Sequence, residues 1–367
     1  MAKLFILCGE PSGDLHAAKL IPHFKSIEPD TELYAVGGVH LKNAGVTVVK
    51  DISDMAFMGF VEVLKNLRAI RKNFQEVKTL ITSINPDAII FIDYPGFNLK
   101  IAKFAKERGF RTVYYITPKI WAWNQKRAYK IKRYIDDVIP IFPFEPKFYK
   151  QYGIETHYFG HPIVEGLNPK ETKEIFLSRF NSTQIIGLMP GSRLSEIRTL
   201  LPTLFQYARN QKNAQFALST LSSIDKKEYQ IPSDLMSRVH CVEDDPYSIM
   251  SYSSFLIVAS GTANLEAACF NTPMIVVYQV SPLTYFLAKR LVKIKHVSPV
   301  NIVAEKEIVK ELLQDDFSVS RLLVESDKLL KNYDVIKNEL KRVSSLLDKT
   351  NISHSVANYI LKIFSKK

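Results

Sequence analysis

Hydrophobic positions along the chain follow two alternating patterns. Short apolar runs at 4–8, 88–92 and 112–116 are each followed by a stretch in which apolar residues recur every three or four positions, over 15–26, 100–108 and 125–134. A run without alternation is a strand buried on both faces, and a 3.6-residue period is a helix with one apolar stripe. The rhythm therefore predicts βαβ units on a parallel sheet. Further runs at 138–142 and 157–159 precede Gly160-His161-Pro162 and a polar stretch over 165–173, where a hinge is expected. The rhythm restarts at 185–189 and continues with strands at 216–219, 239–242, 255–258 and 274–277. From 307 onward only helical patterns remain, through Leu313, Leu323, Leu330, Leu340 and Leu347 to Ile363. The expected fold class is α/β, with two Rossmann-like, doubly wound domains, 1–165 and 166–335, facing across a ligand cleft. C-terminal helices over 336–367 then pack back on the first domain or exchange with a partner in a homodimer.

Composition narrows the class. With 367 residues, 46% hydrophobic and 23% charged, the chain can bury roughly three quarters of its unfolded surface, which excludes disordered and fibrous classes. Cys8, Cys241 and Cys269 stand singly, without zinc or disulfide spacing, as expected in a reducing compartment. No run reaches the ~18 apolar residues of a membrane span, and the first run breaks at once into Gly9-Glu10-Pro11-Ser12-Gly13-Asp14, so a cytoplasmic, non-integral protein is expected.

The net charge of +12 is concentrated: residues 60–133 carry 16 Lys/Arg against 5 Asp/Glu, and the rest of the chain is nearly neutral. Within that region Phe60, Val63, Leu64, Leu67, Ile70, Phe74 and Val77 recur at helical spacing, beside Lys65, Arg68, Arg71 and Lys72. This basic amphipathic helix, 60–77, has two uses. Its stripe packs on its own sheet, or Phe60, Leu64, Lys65, Leu67, Arg68, Arg71 and Lys72 dock on an anionic membrane surface. No RNP motif, zinc finger or Arg/Gly-rich segment is present, so nucleic acid is not an expected partner.

Four turns carry candidate chemistry. Pro190-Gly191-Ser192-Arg193 links a strand to a helix beginning near Ser195, placing backbone N–H groups and a guanidinium at one point, as a phosphate requires. Ala259-Ser260-Gly261-Thr262 does the same before a helix over 263–270, where Glu266 could accept from ribose hydroxyls. The alternatives are a surface ion pair for Arg193 and a simple cap for Ser260 or Thr262. The Gly9–Asp14 turn allows close backbone approach, but no G-x-G-x-x-G, P-loop or G-x-S-x-G string occurs. Asp93, at a strand end before Tyr94-Pro95, is a candidate general base or a turn cap, and His16 a weaker second base. Glu243-Asp244-Asp245 precedes Pro246, which makes it a helix cap; no metal site is expected there. Trp121-Ala122-Trp123 is read as an aromatic core corner, with a lipid contact as the lesser alternative.

These strings, in order over essentially the whole chain, resemble the lipid-A-disaccharide synthase family, inverting glycosyltransferases of the GT-B fold. The resemblance rests on Gly9-Glu10-Pro11-Ser12-Gly13-Asp14, Met58-Gly59-Phe60-Val61-Glu62-Val63-Leu64, Ile92-Asp93-Tyr94-Pro95 and Ile120-Trp121-Ala122-Trp123-Asn124-Gln125-Lys126-Arg127. It continues in Phe142-Pro143-Phe144-Glu145, Gly160-His161-Pro162, Pro190-Gly191-Ser192-Arg193, Ala259-Ser260-Gly261-Thr262-Ala263 and Leu287-Ala288-Lys289-Arg290-Leu291-Val292. It implies condensation of UDP-2,3-diacylglucosamine with 2,3-diacylglucosamine 1-phosphate, releasing UDP and forming a β-1',6-linked lipid A precursor at the inner face of the inner membrane.

By the resemblance, Asp93 and Arg193 match positions needed for activity, and Arg193, Glu266 and Asn301 match the nucleotide side. Many relatives carry a second Asp where this chain has Gly96, so that role cannot be carried over, and His16 is not part of the family pattern. The combined expectation is a base, Asp93, with Gly9, Glu10, Ser12, Gly13 and Asp14 on the acceptor side. Gly191, Ser192, Arg193, Ser260, Gly261, Thr262, Glu266 and Asn301 then form the UDP side, with no metal or cofactor. Other UDP-sugar enzymes, a soluble-acceptor glycosyltransferase or a 2-epimerase, would not need the basic helix. A non-catalytic protein binding anionic lipid or nucleic acid would leave the two phosphate turns unexplained.

Overall fold

The first apolar run forms β1 (Lys3–Cys8), whose residues from Leu4 onward are fully buried, in a computed structural model that describes residues 2–55, 66–182, 184–280, 285 and 295–363. The chain divides into two units, Met1–Pro162 with Lys349–Lys367, and Ile163–Asp348. In the first unit β1 is followed by α1 (Pro11–Ile27), β2 (Glu32–Gly37), α2 (Val39–Asn43), β3 (Thr47–Asp51), α3 (Leu67–Ile84), β4 (Ala88–Ile92) and α4 (Pro95–Glu107). Then come β5 (Arg111–Tyr115), α5 (Ile120–Trp123), α6 (Arg127–Tyr134), β6 (Asp137–Ile139) and α7 (Glu145–Lys150). The sheet is parallel, in the order β3-β2-β1-β4-β5-β6. Strand order reverses between β1 and β4, and Cys8 pairs with Ile92, so Gly9 and Asp93 leave the sheet side by side at the switch point.

The second unit contains α8 (Lys173–Leu177), β7 (Ile185–Met189), α9 (Leu194–Asn210), β8 (Gln215–Thr220), β9 (Val239–Glu243), α10 (Pro246–Tyr252), β10 (Phe255–Ala259) and α11 (Thr262–Cys269). It continues with β11 (Met274–Tyr278), α12 (Pro299–Ala304), β12 (Lys310–Leu313), α13 (Val319–Lys331) and α14 (Tyr333–Leu347). Its sheet has the same topology, β12-β11-β10-β7-β8-β9, and Val258 pairs with Met189, so the two expected phosphate turns leave adjacent strand ends. Helices α9 and α13 cover one face through Leu200, Leu204, Leu322 and Leu329, all within one buried apolar cluster. The last helix, α15 (Ile352–Lys362), belongs to the first unit and packs on α1, where His354 meets His23 edge-on at 5.6 Å.

Several expectations need correction. Strands β2 and β3 had no predicted counterpart because they lie toward a sheet edge and are only partly apolar, as in Thr47-Val48-Val49-Lys50-Asp51. For the same reason β12, Lys310-Glu311-Leu312-Leu313, escaped a reading that saw only helices after 307. Residues 157–159 form no strand, although the His157 amide donates to the Val138 carbonyl at 2.9 Å. Helix α1 starts at Pro11, where the missing N–H costs nothing, so Ser12, Gly13 and Asp14 lie in its first turn. The single C-terminal piece expected over 336–367 is divided: α14 stays with the second unit and 349–367 joins the first.

Candidate active site

At the first switch point the backbone is strained. Asp93 and Tyr94 adopt φ of 46° and 45°, and Ile116 opposite them 59°, a region that non-glycine residues occupy at a cost of about 1–3 kcal/mol each. Hydrogen bonds hold this turn. The Asp93 amide donates to the Ile116 carbonyl (3.1 Å), while the Asp93 carbonyl accepts from the Tyr114 hydroxyl (2.6 Å) and the Asn98 Nδ2 (2.8 Å). Asn98, fully buried on α4, also reaches the Ile92 carbonyl at 3.2 Å. Neither Asn98 nor Tyr114 was singled out from the sequence. The available signal was an Asn inside an otherwise apolar helix face, beside Leu99, Ile101 and Ala102.

Tyr94 explains Gly9. Its ring lies so close that a Cβ on residue 9 would fall 2.1 Å from Cγ and Cδ1, and its hydroxyl donates to the Met55 carbonyl at 3.1 Å. Burial raises the Asp93 carboxyl above its usual range, and the Lys119 charge and the Tyr94 N–H pull it back. A carboxylate poised in this way suits proton abstraction.

The remaining candidates of the first unit separate. Glu10 precedes the first turn of α1, and Ser12 is exposed in that turn. Gly13 packs under Ile92. Asp14 is buried and accepts from the Gly38 (2.7 Å), His40 (2.9 Å) and Leu41 (3.4 Å) amides, so it caps α2 and is removed from direct acceptor contact. His16 is pulled down to about 4 by burial and then by Lys19, which leaves it neutral and a poor base at neutral pH. Lys119 sits where the chain enters α5, a corner fixed by the buried Glu145. That carboxylate accepts from Trp121 Nε1 (3.0 Å), Thr117 Oγ1 (3.3 Å) and the Ile141 (3.0 Å) and Phe142 (2.9 Å) amides, and burial pushes it up to about 7. Trp121 is half-buried at this corner, edge-on to Phe142 and Phe144, whereas Trp123 is exposed beneath the Arg127 guanidinium, 4.7 Å from its ring.

Phe60, Leu64 and Lys65, with the Met58–Leu64 string, lie outside the described residues, as do the Leu67 side chain and the 287–292 string. Arg68, Arg71 and Lys72 are exposed on α3, and Lys72 approaches Glu76 at 3.7 Å. The described part of the stripe does not face outward: Val77 and Ile81 are buried and Phe74 stacks on Phe97 at 4.1 Å. Val77 is thus covered within the unit, whereas Phe74 is half-buried and keeps part of its ring open.

At the second switch point a cavity of about 300 Å³ opens between the first turns of α9 and α11. Gly191, Ser192, Arg193, Ser260, Gly261, Thr262 and Glu266 all line it. Gly191 has φ of 101°, and a Cβ there would lie 2.3 Å from Glu196 Oε2, so only glycine fits. Glu196, which the sequence reading passed over, reaches back to the Arg193 amide (3.4 Å), and its Oε1 accepts from Arg193 Nη1 (2.9 Å). Arg193 is 73% exposed, and an exposed pair of this kind contributes only ~0–1 kcal/mol, so the guanidinium can turn to an anion. Asn264 Oδ1 accepts from the Gly261 amide at 2.9 Å and shapes the other turn. Tyr247, a second residue missed, donates to Glu266 Oε1 at 3.2 Å and orients that carboxylate.

Asn301 does not join this cavity. It is fully buried, its Nδ2 donating to the Val309 carbonyl (2.8 Å) and Glu311 Oε1 (2.8 Å), its Oδ1 accepting from the Ile308 (2.8 Å) and Val309 (3.0 Å) amides. It ties α12 to β12, and direct nucleotide contact is withdrawn. Asp245 caps α10 by accepting from the Ser248 amide (3.1 Å), the role expected of the acidic cluster.

Known proteins share both sequence and fold with this chain. A family model described as lipid-A-disaccharide synthetase matches residues 4–364. A lipid-A-disaccharide synthase of Geobacter metallireducens is 36% identical, over 100% of this chain and 98% of its own length. Among solved structures, a UDP-GlcNAc 2-epimerase from Neisseria meningitidis bound to UDP-GlcNAc superposes with a TM-score of 0.66 at 13% identity, covering 98% of this chain and 100% of its own. The glycotransferase of kitacinnamycin gives 0.69 at 10% identity, covering 98% of each chain. The two structures carry the two-unit α/β fold, which epimerases and transferases share; the sequence match decides between them, and the chain belongs to the lipid-A-disaccharide synthase family.

Proposed function

We propose that the protein condenses UDP-2,3-diacylglucosamine with 2,3-diacylglucosamine 1-phosphate, with inversion, to give the lipid A disaccharide 1-phosphate and UDP. The observation that carries this reading is the family match over residues 4–364. The site chemistry supports it. Asp93 takes the proton of the acceptor 6-hydroxyl, the oxygen bonds to the donor's anomeric carbon, and the bond from that carbon to the diphosphate breaks with its electron pair going to UDP. Arg193 and the first turns of α9 and α11 stabilise the departing charge, and Glu266, held by Tyr247, accepts from the ribose hydroxyls. Gly9, Glu10, Ser12 and Gly13 lie on the acceptor side. Because arginine and helix termini supply the positive charge, activity is expected to persist in EDTA; a loss restored by magnesium or manganese would overturn this route. Incubating the protein with both acylated sugars and detecting the disaccharide 1-phosphate by mass is the direct test, and no product sinks the reading.

Both substrates are lipids, and among the described residues no helix is long and apolar enough to cross a membrane. The proposal is peripheral docking on an anionic surface at the inner face of the inner membrane through Arg68, Arg71 and Lys72. Each such charge contributes ~1 kcal/mol near the surface, screened within a Debye length. Reversing the three to Glu should strongly weaken cosedimentation with anionic vesicles and leave UDP affinity intact. Undiminished cosedimentation would leave α3 as a packing helix only.

A further inference from the structure

We propose that a second, apolar cavity beside Asp93 receives one acyl chain of the acceptor sugar, an inference that rests on the transferase reading and extends it. The cavity, of about 320 Å³, lies between α3 and α4 and is walled by Met55, Ile70, Phe74, Tyr94 and Phe97. Its wall is preformed. Tyr94 stacks with Phe97 at 5.8 Å, Phe97 with Phe74 at 4.1 Å, and the Tyr94 hydroxyl is held by the Met55 carbonyl. Polar groups are few and turned to other uses. Asn73 Nδ2 donates to the Asp54 carbonyl at 3.0 Å, and the exposed Lys100 ammonium lies over the Phe74 ring at 5.0 Å. A polar ligand would lose its hydration there without replacement, whereas an alkyl chain loses nothing.

Position selects which chain. Tyr94 is both a wall of the cavity and the residue after Asp93, so a chain seated here is tethered beside the carboxylate that takes the acceptor's proton. Anchoring a part of the substrate remote from the reacting bond fixes the hydroxyl's position relative to Asp93. Gly96 is the residue through which the cavity can be altered. It lines the space from the first turn of α4, and a Cβ added there meets nothing within 4 Å, so a larger side chain grows into the cavity without disturbing the helix.

The test uses the full chain, a fixed donor, and acceptors whose acyl chains lengthen in steps of two carbons. In the parent, kcat/KM for the acceptor should rise by about fourfold per added methylene, the worth of burying one, until the cavity is full. Gly96→Leu should end that rise at a shorter chain, and Phe74→Ala at a longer one, with the KM of the donor unchanged and short-chain acceptors turned over as by the parent. A break point that both variants leave in place, or that follows the donor's chains instead, overturns the proposal. If no acceptor gives product, the transferase reading has failed. Acceptor binding measured without donor then decides the cavity separately, and affinity indifferent to Gly96→Leu overturns it.

Discussion

In the first unit the chain leaves β4 through two non-glycine residues, Asp93 and Tyr94, both at positive φ, whereas in the second it leaves β7 through Gly191 and β10 through Gly261, the latter extended. The two sheets have the same strand order, so topology alone does not distinguish these exits. Chemistry does. Where a side chain must point from a tight turn, the unit accepts strain at a carboxylate and holds it with Asn98 and Tyr114. At the turns proposed to take an anion, glycine keeps the backbone open and Glu196 and Asn264 brace it from behind. On the proposed function, one fold thus supplies a base at one switch point and an anion cradle at the other.

Substitutions that act on one switch point and spare the other would sharpen this contrast. The largest expected effect is on turnover: Asp93→Asn should lower kcat by about 10²–10⁴-fold while calorimetric UDP affinity stays at the parent value. Near-normal turnover would remove the base from the first unit. Next in size, Arg193→Ala should weaken UDP binding by ~1.5–3 kcal/mol, since the bond lost is to a charged group. Equal calorimetric affinities for the two proteins would show that the guanidinium stays with Glu196.

How far each region was legible follows from the same contrast. The central strands β1, β4, β7 and β10 are apolar throughout and declare themselves, and the turns after them carry their Gly, Ser and Arg in one short string. Edge strands β3 and β12 mix charge with apolar residues and look like loop or helix. Within the sites, the residues proposed to touch a ligand were legible by type, but those that hold them in place were not. Asn98, Tyr114, Glu145 and Tyr247 act through tertiary hydrogen bonds that no local spacing encodes. The same blindness concerns Asp14 and Asn301. Asp14 was drawn in by its place in the Gly9–Asp14 turn and Asn301 by the family resemblance alone, and only the bonds they accept from the Gly38 and Val309 amides reveal them as braces.

Glycine substitutions test the two turns at similar energy but in different observables. Gly9→Ala drives a methyl into the Tyr94 ring, and overpacking of this kind costs ~1–3 kcal/mol in chemical denaturation. Turnover should fall with it, since Tyr94 carries Asp93, and UDP affinity should not. Gly261→Ala meets open space, so stability should hold within about 0.5 kcal/mol while UDP affinity drops. Loss of stability in both, or in neither, would mean that the glycines do not divide into one making room for a side chain and one for a ligand.

The smallest effect concerns the proton. As the proposed base, Asp93 must be ionised to act, so kcat/KM should fall as pH drops through its raised pKa, and the Lys119 charge, with the Tyr94 N–H, keeps that pKa from standing higher. Lys119→Met removes the opposing charge and should move the acid limb of the profile to higher pH, leaving the plateau rate near that of the parent. Because Lys119 is exposed, water and salt screen its charge, and the displacement should be modest. Added salt should shift the parent's limb in the same direction and the variant's by less. A limb that stays in place after Lys119→Met would show that burial and the Tyr94 N–H set the carboxyl of Asp93 without Lys119, and a limb that moves to lower pH would mean that another group is titrating.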